Sequence, residues 1–380
     1  MASGEIYTAP VERIAAGGAG ITRPGGKSVF VPLTAPGDVV RCRIEKDHSL
    51  WAEGELLEIL EPSPCRTDPV CSLYGRCGGC SLQHLNYEAQ IEAKTGILRD
   101  AFTRIGRINP PEIRLRRSLP FEYRNRVQFH FSVHGPGFRE RKSSALAILE
   151  DCPVADKGIR KALKEGTLKS PQERFTVYSR GATFLAEGGL ERGRVSILDR
   201  ELAMDVKVFF QSNASMLELL IQDLLELAST ADKTLPLADI YCGVGTFASF
   251  LGNAFPEPDL VEENKAALAL ARENVPGKGA HYYALTDTAW VKTLSKKGFK
   301  PHAWGFMVLD PPREGLSGPL REYLARSGPE LAAYVSCNPA TLARDSQALL
   351  QGGYTLRELT LYDFYPQTAH IESLAVFSRR

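Results

Sequence analysis

Polar and apolar residues alternate along the first part of the chain. Val40, Cys42 and Ile44 are separated by Arg41 and Arg43, the two-residue period of a half-buried strand, and Val29 and Val31 flank Phe30. Gly17, Gly18, Gly20, Gly25, Gly26 and Gly37, with Pro24, Pro32 and Pro36, punctuate these runs. The pattern predicts an all-β unit over residues 1–62, a small barrel of the OB type, with Glu61-Pro62-Ser63-Pro64 as a linker. The period then lengthens. From Tyr87 to Gly106, Ile91, Leu98, Phe102 and Ile105 fall on one helical stripe. Residues 112–205 read as mixed and strand-rich, with 121–133 the clearest strand region, so that 63–205 forms a central α+β unit. From about residue 206 strands and helices alternate. Residues 212–230 predict a helix burying Leu217, Leu220, Ile221, Leu224 and Leu225. Strands are predicted at 237–243, 259–262, 305–310 and 332–337, with helices between them, then two closing strands at 355–364 and 372–378. Such alternation makes 206–380 an α/β domain, a mainly parallel sheet with helices on both faces. Sheets of this kind bind ligands beyond the carboxyl ends of their strands.

Composition narrows the class. The chain has 380 residues, enough for two or three domains, and apolar and charged fractions of 43% and 24%, those of a soluble globular protein. No apolar run reaches the length of a membrane span, and the start lacks the basic and apolar regions of a secretory signal. A cytoplasmic location is therefore expected, where clustered cysteines mean metal or catalysis more often than disulfides. The formal net charge is +1, so no global field advertises nucleic acid. Basic residues do cluster locally, at Arg114, Arg116 and Arg117, at Arg124 and Arg126, and at Arg139, Arg141 and Lys142. Taken alone these are solvated surface charges; on one face they would bind RNA.

Chemistry concentrates in a few motifs. Gly243 and Gly245 lie at a strand-to-helix turn, where the backbone can approach a ligand and a helix offers free N–H groups. Glu262 ends the next strand, where a carboxylate can accept both hydroxyls of a ribose. The pair suits an adenosine-bearing cofactor, and the turn lacks the full G-x-G-x-x-G of a dinucleotide site. Asp310 ends a buried strand and is followed by Pro311 and Pro312, which stiffen the loop into a wall suited to a planar base. Cys337 ends the neighbouring strand and would face the same pocket. Most lone cysteines are inert fillers, but this position suits a nucleophile. Glu372 opens the last strand and returns to the same region if that strand is antiparallel. Near the front, Cys71, Cys77 and Cys80 form Cys-x5-Cys-x2-Cys, and Cys152 follows. Zinc and a 4Fe–4S cluster are both candidates; a single Cys-x2-Cys pair tilts toward iron–sulfur. Cys65 is a spare ligand, and Cys42 and Cys242 read as core.

Together these motifs resemble the RNA uracil-5-methyltransferases, of the iron–sulfur-containing kind that methylates 23S ribosomal RNA. The resemblance runs nearly the length of the chain. Residues 17–38 resemble part of a TRAM domain; Leu260 stands where the family often has Gly. By resemblance, Cys71, Cys77, Cys80 and Cys152 hold a 4Fe–4S cluster. Gln211, Tyr241, Gly243, Glu262 and Asp310 hold S-adenosylmethionine, Cys337 is the nucleophile and Glu372 the general base. The resemblance implies a Rossmann-like methyltransferase domain and RNA rather than DNA as partner; a monomer is the default expectation. Two other readings stay open: a methyltransferase acting on the T-loop uridine of transfer RNA, and an iron–sulfur RNA-binding protein with a silent catalytic domain.

Overall fold

The computed structural model describes residues 2–169, 172–277, 279–294 and 303–379. The amino-terminal alternation does produce an all-β unit. Its six strands run in the order Ile6–Pro10, Val39–Asp47, Trp51–Glu61, Ser28–Val31, Gly20–Thr22, Arg13–Ile14. The first and last of these are one run of chain, bent at Val11 and Glu12. The two edges of the sheet are therefore the same segment, and the sheet wraps into a small barrel. Val29, Val31, Val40, Cys42, Ile44 and Ala52 fill it.

A second, five-stranded antiparallel sheet follows, in the order Leu146–Ile148, Gly135–Arg139, Arg126–Ser132, Arg174–Arg180, Thr183–Ala186. One face buries Val127, Phe129, Phe175 and Val177 with Ile159, Ala162 and Leu163 of the helix Lys157–Lys164. Side chains alternate along a strand, so Arg126, Gln128 and His130 share the opposite face.

The carboxyl-terminal sheet has eight strands. Their order is His281–Tyr283, Asp259–Val261, Leu237–Ile240, Phe306–Leu309, Leu331–Ser336, Glu372–Ser378, Thr355–Tyr362, Ile113–Arg116. All neighbouring pairs are parallel except the two made by Glu372–Ser378. The chain moves outward from Leu237–Ile240 in one direction and then crosses to Phe306–Leu309. The order thus reverses between these two central strands, and their carboxyl ends flank the crevice where such sheets take ligands.

Two strands of this sheet differ from expectation. His281–Tyr283 is an edge strand of three residues, and Ile113–Arg116, within 63–205, forms the other edge. The helix Tyr87–Ala101, also within 63–205, packs Ile97, Leu98 and Ala101 into the same core as Leu342, Ala343 and Leu349 of the helix Pro339–Gln351. After Ala101 the helix widens into a π turn, Phe102–Gly106. That extra residue per turn rotates the apolar stripe, so Phe102 is buried while Ile105 is 48% exposed, not buried as expected. Leu225, at the edge of its stripe on the helix Ala214–Ser229, is likewise 39% exposed.

The loop from Asp363 to Ile371 joins the last two strands and delivers Glu372. A fully buried ion pair pins its start: Lys94 Nζ lies 2.5 Å from Asp363 Oδ1 and also donates to the Tyr365 carbonyl at 2.9 Å. Burial lowers the Lys94 pKa, and the Asp363 charge opposes that shift.

Candidate active site

The strand Leu237–Ile240 ends in Tyr241, Cys242 and Gly243, whose turn is laced to the next strand. Tyr241 N and Cys242 N both donate to the Val261 carbonyl, at 2.8 and 3.1 Å. Tyr241 holds φ +65, a left-handed conformation unusual for a tyrosine. Its hydroxyl donates to Asp287 Oδ2 at 2.6 Å, and Ser317 N donates to the same oxygen at 3.1 Å. Burial alone would lift the Asp287 carboxyl, but these hydrogen bonds outweigh it and hold its pKa below the ordinary value. Glu262 accepts from Gly243 N at 3.0 Å and Asn264 N at 2.7 Å.

A cavity of about 670 Å³ opens at this edge. Gln211, Tyr241, Gly243, Glu262 and Asp310 all line it. Its size lies within the range of nucleoside and cofactor pockets. Three observations fit an adenosine-bearing cofactor. Gly243 has φ +55 and open space where a Cβ would stand. Gln211 Oε1 is buried without a hydrogen-bond partner among the described residues. Burial, with Glu262 adding to it, pushes Asp310 up to about 7, and a cationic guest beside it would favour its ionised form.

Cys337 and Glu372 both line this cavity as well. The antiparallel register, Ser336 opposite Ser373, brings the end of one strand beside the start of the other. Asn338 caps the following helix through its bond to Ala340 N, and it fixes the proline loop by donating from Nδ2 to the Arg313 carbonyl at 2.9 Å. Cys337 is half-buried and Glu372 is 7% exposed. Burial, then the charges of Glu372 and Asp310, push the Cys337 thiol up to about 11; Arg313 opposes them. Burial also lifts Glu372 well above the ordinary carboxylate range, Asp310 adding and Arg313 opposing.

A second and larger opening, about 1140 Å³, runs between the barrel and the central sheet. Arg124, Arg126, Gln128, His130, Arg139, Arg141 and Arg174 line it. Arg126 lies 6.0 Å from the ring centre of Phe209, which is 60% exposed. Cys337, Glu372, Arg313 and Phe209 line both openings. The arginines that looked like scattered surface charges therefore divide: those at 124, 126, 139 and 141 share a groove, whereas Arg114 and Arg116 pair with Glu358 and Asp223.

Several of these residues were not picked out from the sequence. Arg313 and Ser317 lie inside the Asp310 motif, and Phe209 precedes Gln211 by two positions, so the motifs could have flagged them. Asp287 and Tyr365 had no local signal. Tyr365 packs edge-on to His370, and burial, with Glu372 adding, pushes its hydroxyl up to about 12.

Cys71, Cys77, Cys80 and Cys152 line one narrow pocket with Tyr74, Gln83, Leu149 and Val154. All four are free. Burial pushes Cys80 up to about 11 and Cys152 to about 12. Among the described residues, no three His, Cys, Asp or Glu side chains gather closely enough to hold a single metal ion. Cys65 lies outside this pocket, against the core of the carboxyl-terminal domain. Cys42 and Cys242 are core, at 0% and 5% exposure.

A mainly parallel sheet with a nucleoside-sized cavity at its switch point, meeting a basic groove at a cysteine and a carboxyl, fits a cofactor-dependent transferase acting on nucleic acid. Comparison with known proteins specifies it. A family model described as tRNA (Uracil-5-)-methyltransferase matches residues 191–380, and a TRAM domain model matches 2–57. An uncharacterized RNA methyltransferase from Treponema denticola is 34% identical, covering 93% of this chain and 94% of its own. A 23S rRNA (uracil(1939)-C(5))-methyltransferase, RlmD, from Aeromonas hydrophila is 30% identical, covering 95% and 93%. The solved structure of Pyrococcus abyssi tRNA (uracil-54, C5)-methyltransferase with S-adenosyl-L-homocysteine superposes with a TM-score of 0.73 at 24% identity, covering 98% of this chain and 100% of that one. The chain belongs to the RNA uracil-5-methyltransferase family and is an S-adenosylmethionine-dependent enzyme. Among the described residues no helix is long and apolar enough to cross a membrane.

Proposed function

We propose that this enzyme methylates carbon 5 of a uridine in 23S ribosomal RNA through transient addition of Cys337 to carbon 6. The observation that carries this reading is the sharing of Cys337 and Glu372 by the cofactor-sized cavity and the basic groove. A uracil reaching that junction from the groove meets a nucleophile and a base together. The groove suits single-stranded or flipped nucleotides, which can stack on Phe209 and pair their phosphates with the arginines.

Carbon 5 of uracil is a weak nucleophile. Bonding of the Cys337 sulfur to carbon 6 converts the ring into an enolate and places electron density on carbon 5. Bound S-adenosylmethionine, held by Gln211, Tyr241, Gly243, Glu262 and Asp310, supplies the methyl group as an electrophile on its sulfonium. Glu372 then takes the carbon 5 proton, the ring double bond re-forms, and the carbon–sulfur bond breaks to release the Cys337 thiolate. A carboxyl shielded from water is the stronger base for this task. Arg313, beside both groups, favours their ionised forms.

The Cys337 thiol, pushed up to about 11, is protonated at rest near neutrality and must lose its proton to act. With its pKa raised, the thiolate fraction grows as pH rises. Single-turnover rates should therefore climb with pH, by up to about tenfold per unit between about pH 6 and 8. A flat profile over that range would contradict the raised thiol.

Cys71, Cys77, Cys80 and Cys152 are assigned to a 4Fe–4S cluster. Four free thiols lining one pocket support this reading. Cys71, Cys77, Cys80 and Cys152 would hold the cluster, which would supply an inorganic cross-link between the 71–80 loop and Cys152. Anaerobically purified protein should contain iron and acid-labile sulfide; finding neither contradicts the assignment. Residues 1–62 then serve as the RNA-binding TRAM unit, 63–205 as the central iron–sulfur and RNA-binding unit, and 206–380 as the catalytic unit, acting as a cytoplasmic monomer. Ribosomal RNA is favoured over transfer RNA by the higher identity to the Aeromonas protein, 30% against 24% to the Pyrococcus one, together with the cysteine set. The test is methyl transfer to matched transcripts. Labelled methyl should enter a 23S fragment and not a T-arm minihelix, and the reverse result moves the substrate to transfer RNA.

A further inference from the structure

The loop between the last two strands holds a residue with more connections than its surface-like identity suggests. Gln367 is 4% exposed and adopts φ +67, a conformation strained for any residue with a side chain. Every polar group it carries is bonded. Its carbonyl accepts from Ser81 N and Leu82 N, both at 3.0 Å. Its own N–H donates to Gln90 Oε1 at 2.8 Å, and its Oε1 accepts from Gln90 Nε2 at 3.0 Å. Its Nε2 donates to the Pro120 carbonyl at 3.3 Å.

The neighbouring residues add to the same junction. Ala369 N donates to Ser81 Oγ at 3.0 Å, and Tyr123 OH donates to the Pro366 carbonyl at 2.8 Å. Gly18 of the barrel packs so close that an added Cβ would lie 2.9 Å from Ser81 Oγ and 3.2 Å from Ala369 Cβ. Ser81 directly follows Cys80, and Glu372 lies five residues after Gln367. The cysteine-bearing loop, the helix Tyr87–Ala101 and Pro120 thus bond Gln367 directly, and the barrel packs against its neighbours Ser81 and Ala369.

We propose that Gln367 is a positioning residue: it sets the loop that aims Glu372 at the substrate and ties that loop to the segment carrying Cys80. Hydrogen bonds that satisfy a strained residue on both main chain and side chain over-determine its place, so the loop has one resting geometry. The inference rests on the covalent reading above, because Glu372 acts only after the adduct has formed. Loosening Gln367 should slow the last step, proton removal and release, more than the steps before it. A displacement of a reacting group by about 1 Å costs on the order of 10²-fold.

The test uses the full-length holoenzyme, S-adenosylmethionine and a 23S fragment with ordinary uridine, quenched in denaturant. In the wild type little covalent enzyme–RNA complex should survive the quench. With Gln367→Ala, the trapped complex should rise at least about tenfold while turnover falls on the order of 10²-fold. Tyr354→Phe is the folding control. It removes another buried bond, from Tyr354 OH to the Pro329 carbonyl at 2.5 Å, and should leave the trapped fraction at the wild-type level. If Gln367→Ala does not fold, Ser81→Ala, which removes the bond to Ala369 N, is read by the same criterion. Turnover that falls without accumulation of the complex, or does not fall, overturns the proposal. Wild-type enzyme given 5-fluorouridine RNA reports separately on the chemistry: absence of any complex there refutes the covalent reading itself.

Discussion

Cys337→Ala or Cys337→Ser enzyme is expected to lose methyl transfer by on the order of 10⁴-fold or more, while still binding S-adenosylmethionine. The sulfur is the group that makes carbon 5 reactive, and none of the other residues shared by the two openings can replace it: Phe209 has no nucleophile, Arg313 is a cation, and Glu372 is needed afterwards as the base. Serine has the right size, but its hydroxyl is a far weaker nucleophile at the working pH. Because the site is half-buried and makes no core contact that serine cannot keep, the fold should survive. Calorimetric titration with S-adenosylmethionine and a melting curve separate loss of chemistry from loss of structure. Near-normal methyl transfer by either variant contradicts the mechanism.

Glu372→Gln should fail at a different point. The carboxyl is buried and its pKa is raised well above the ordinary range, so a neutral amide of the same shape should leave stability nearly unchanged. The variant retains Cys337, the cavity and the groove, so addition and methylation can proceed. Removal of the carbon 5 proton cannot, and the methylated RNA should stay bonded to Cys337. Steady-state turnover should drop by about 10²–10⁴-fold. On a denaturing gel a slow band carrying the labelled methyl should appear with ordinary uridine, without any trapping base. A drop in turnover with no such band would move Glu372 from proton removal to an earlier role.

The contrast between these two residues shows how much of the site was legible beforehand. Cys337 and Glu372 each close or open a strand, and an antiparallel last strand was enough to place them together. The glycine turn, Glu262 and Asp310 were legible for the same reason, since strand ends in an α/β sheet share one edge. Asp287 was not. It matters because its carboxylate holds the Tyr241 hydroxyl, a contact made across the sheet edge between segments 46 residues apart. Gln367 was equally silent, for its place depends on a left-handed φ and on partners from three segments, Ser81–Leu82, Gln90 and Pro120. Among the strands, Ile113–Arg116 alternates too briefly to announce itself and becomes a strand by pairing in parallel with Thr355–Tyr362. The groove is the clearest case of information held in three dimensions alone. The arginines at 124, 126, 139 and 141 look no different in sequence from those at 114 and 116, yet they line the opening that leads to Cys337.

Mass spectrometry of enzyme incubated with S-adenosylmethionine and 5-fluorouridine-substituted 23S fragment tests the central chemistry most directly. Fluorine at carbon 5 cannot leave as a proton does, so the ring stays attached after methyl transfer. The expected result is a peptide containing Cys337 that carries one methylated fluorouracil nucleotide, and none in Cys337→Ala enzyme. An unmodified Cys337 in enzyme that methylates ordinary RNA at its normal rate would contradict a covalent route.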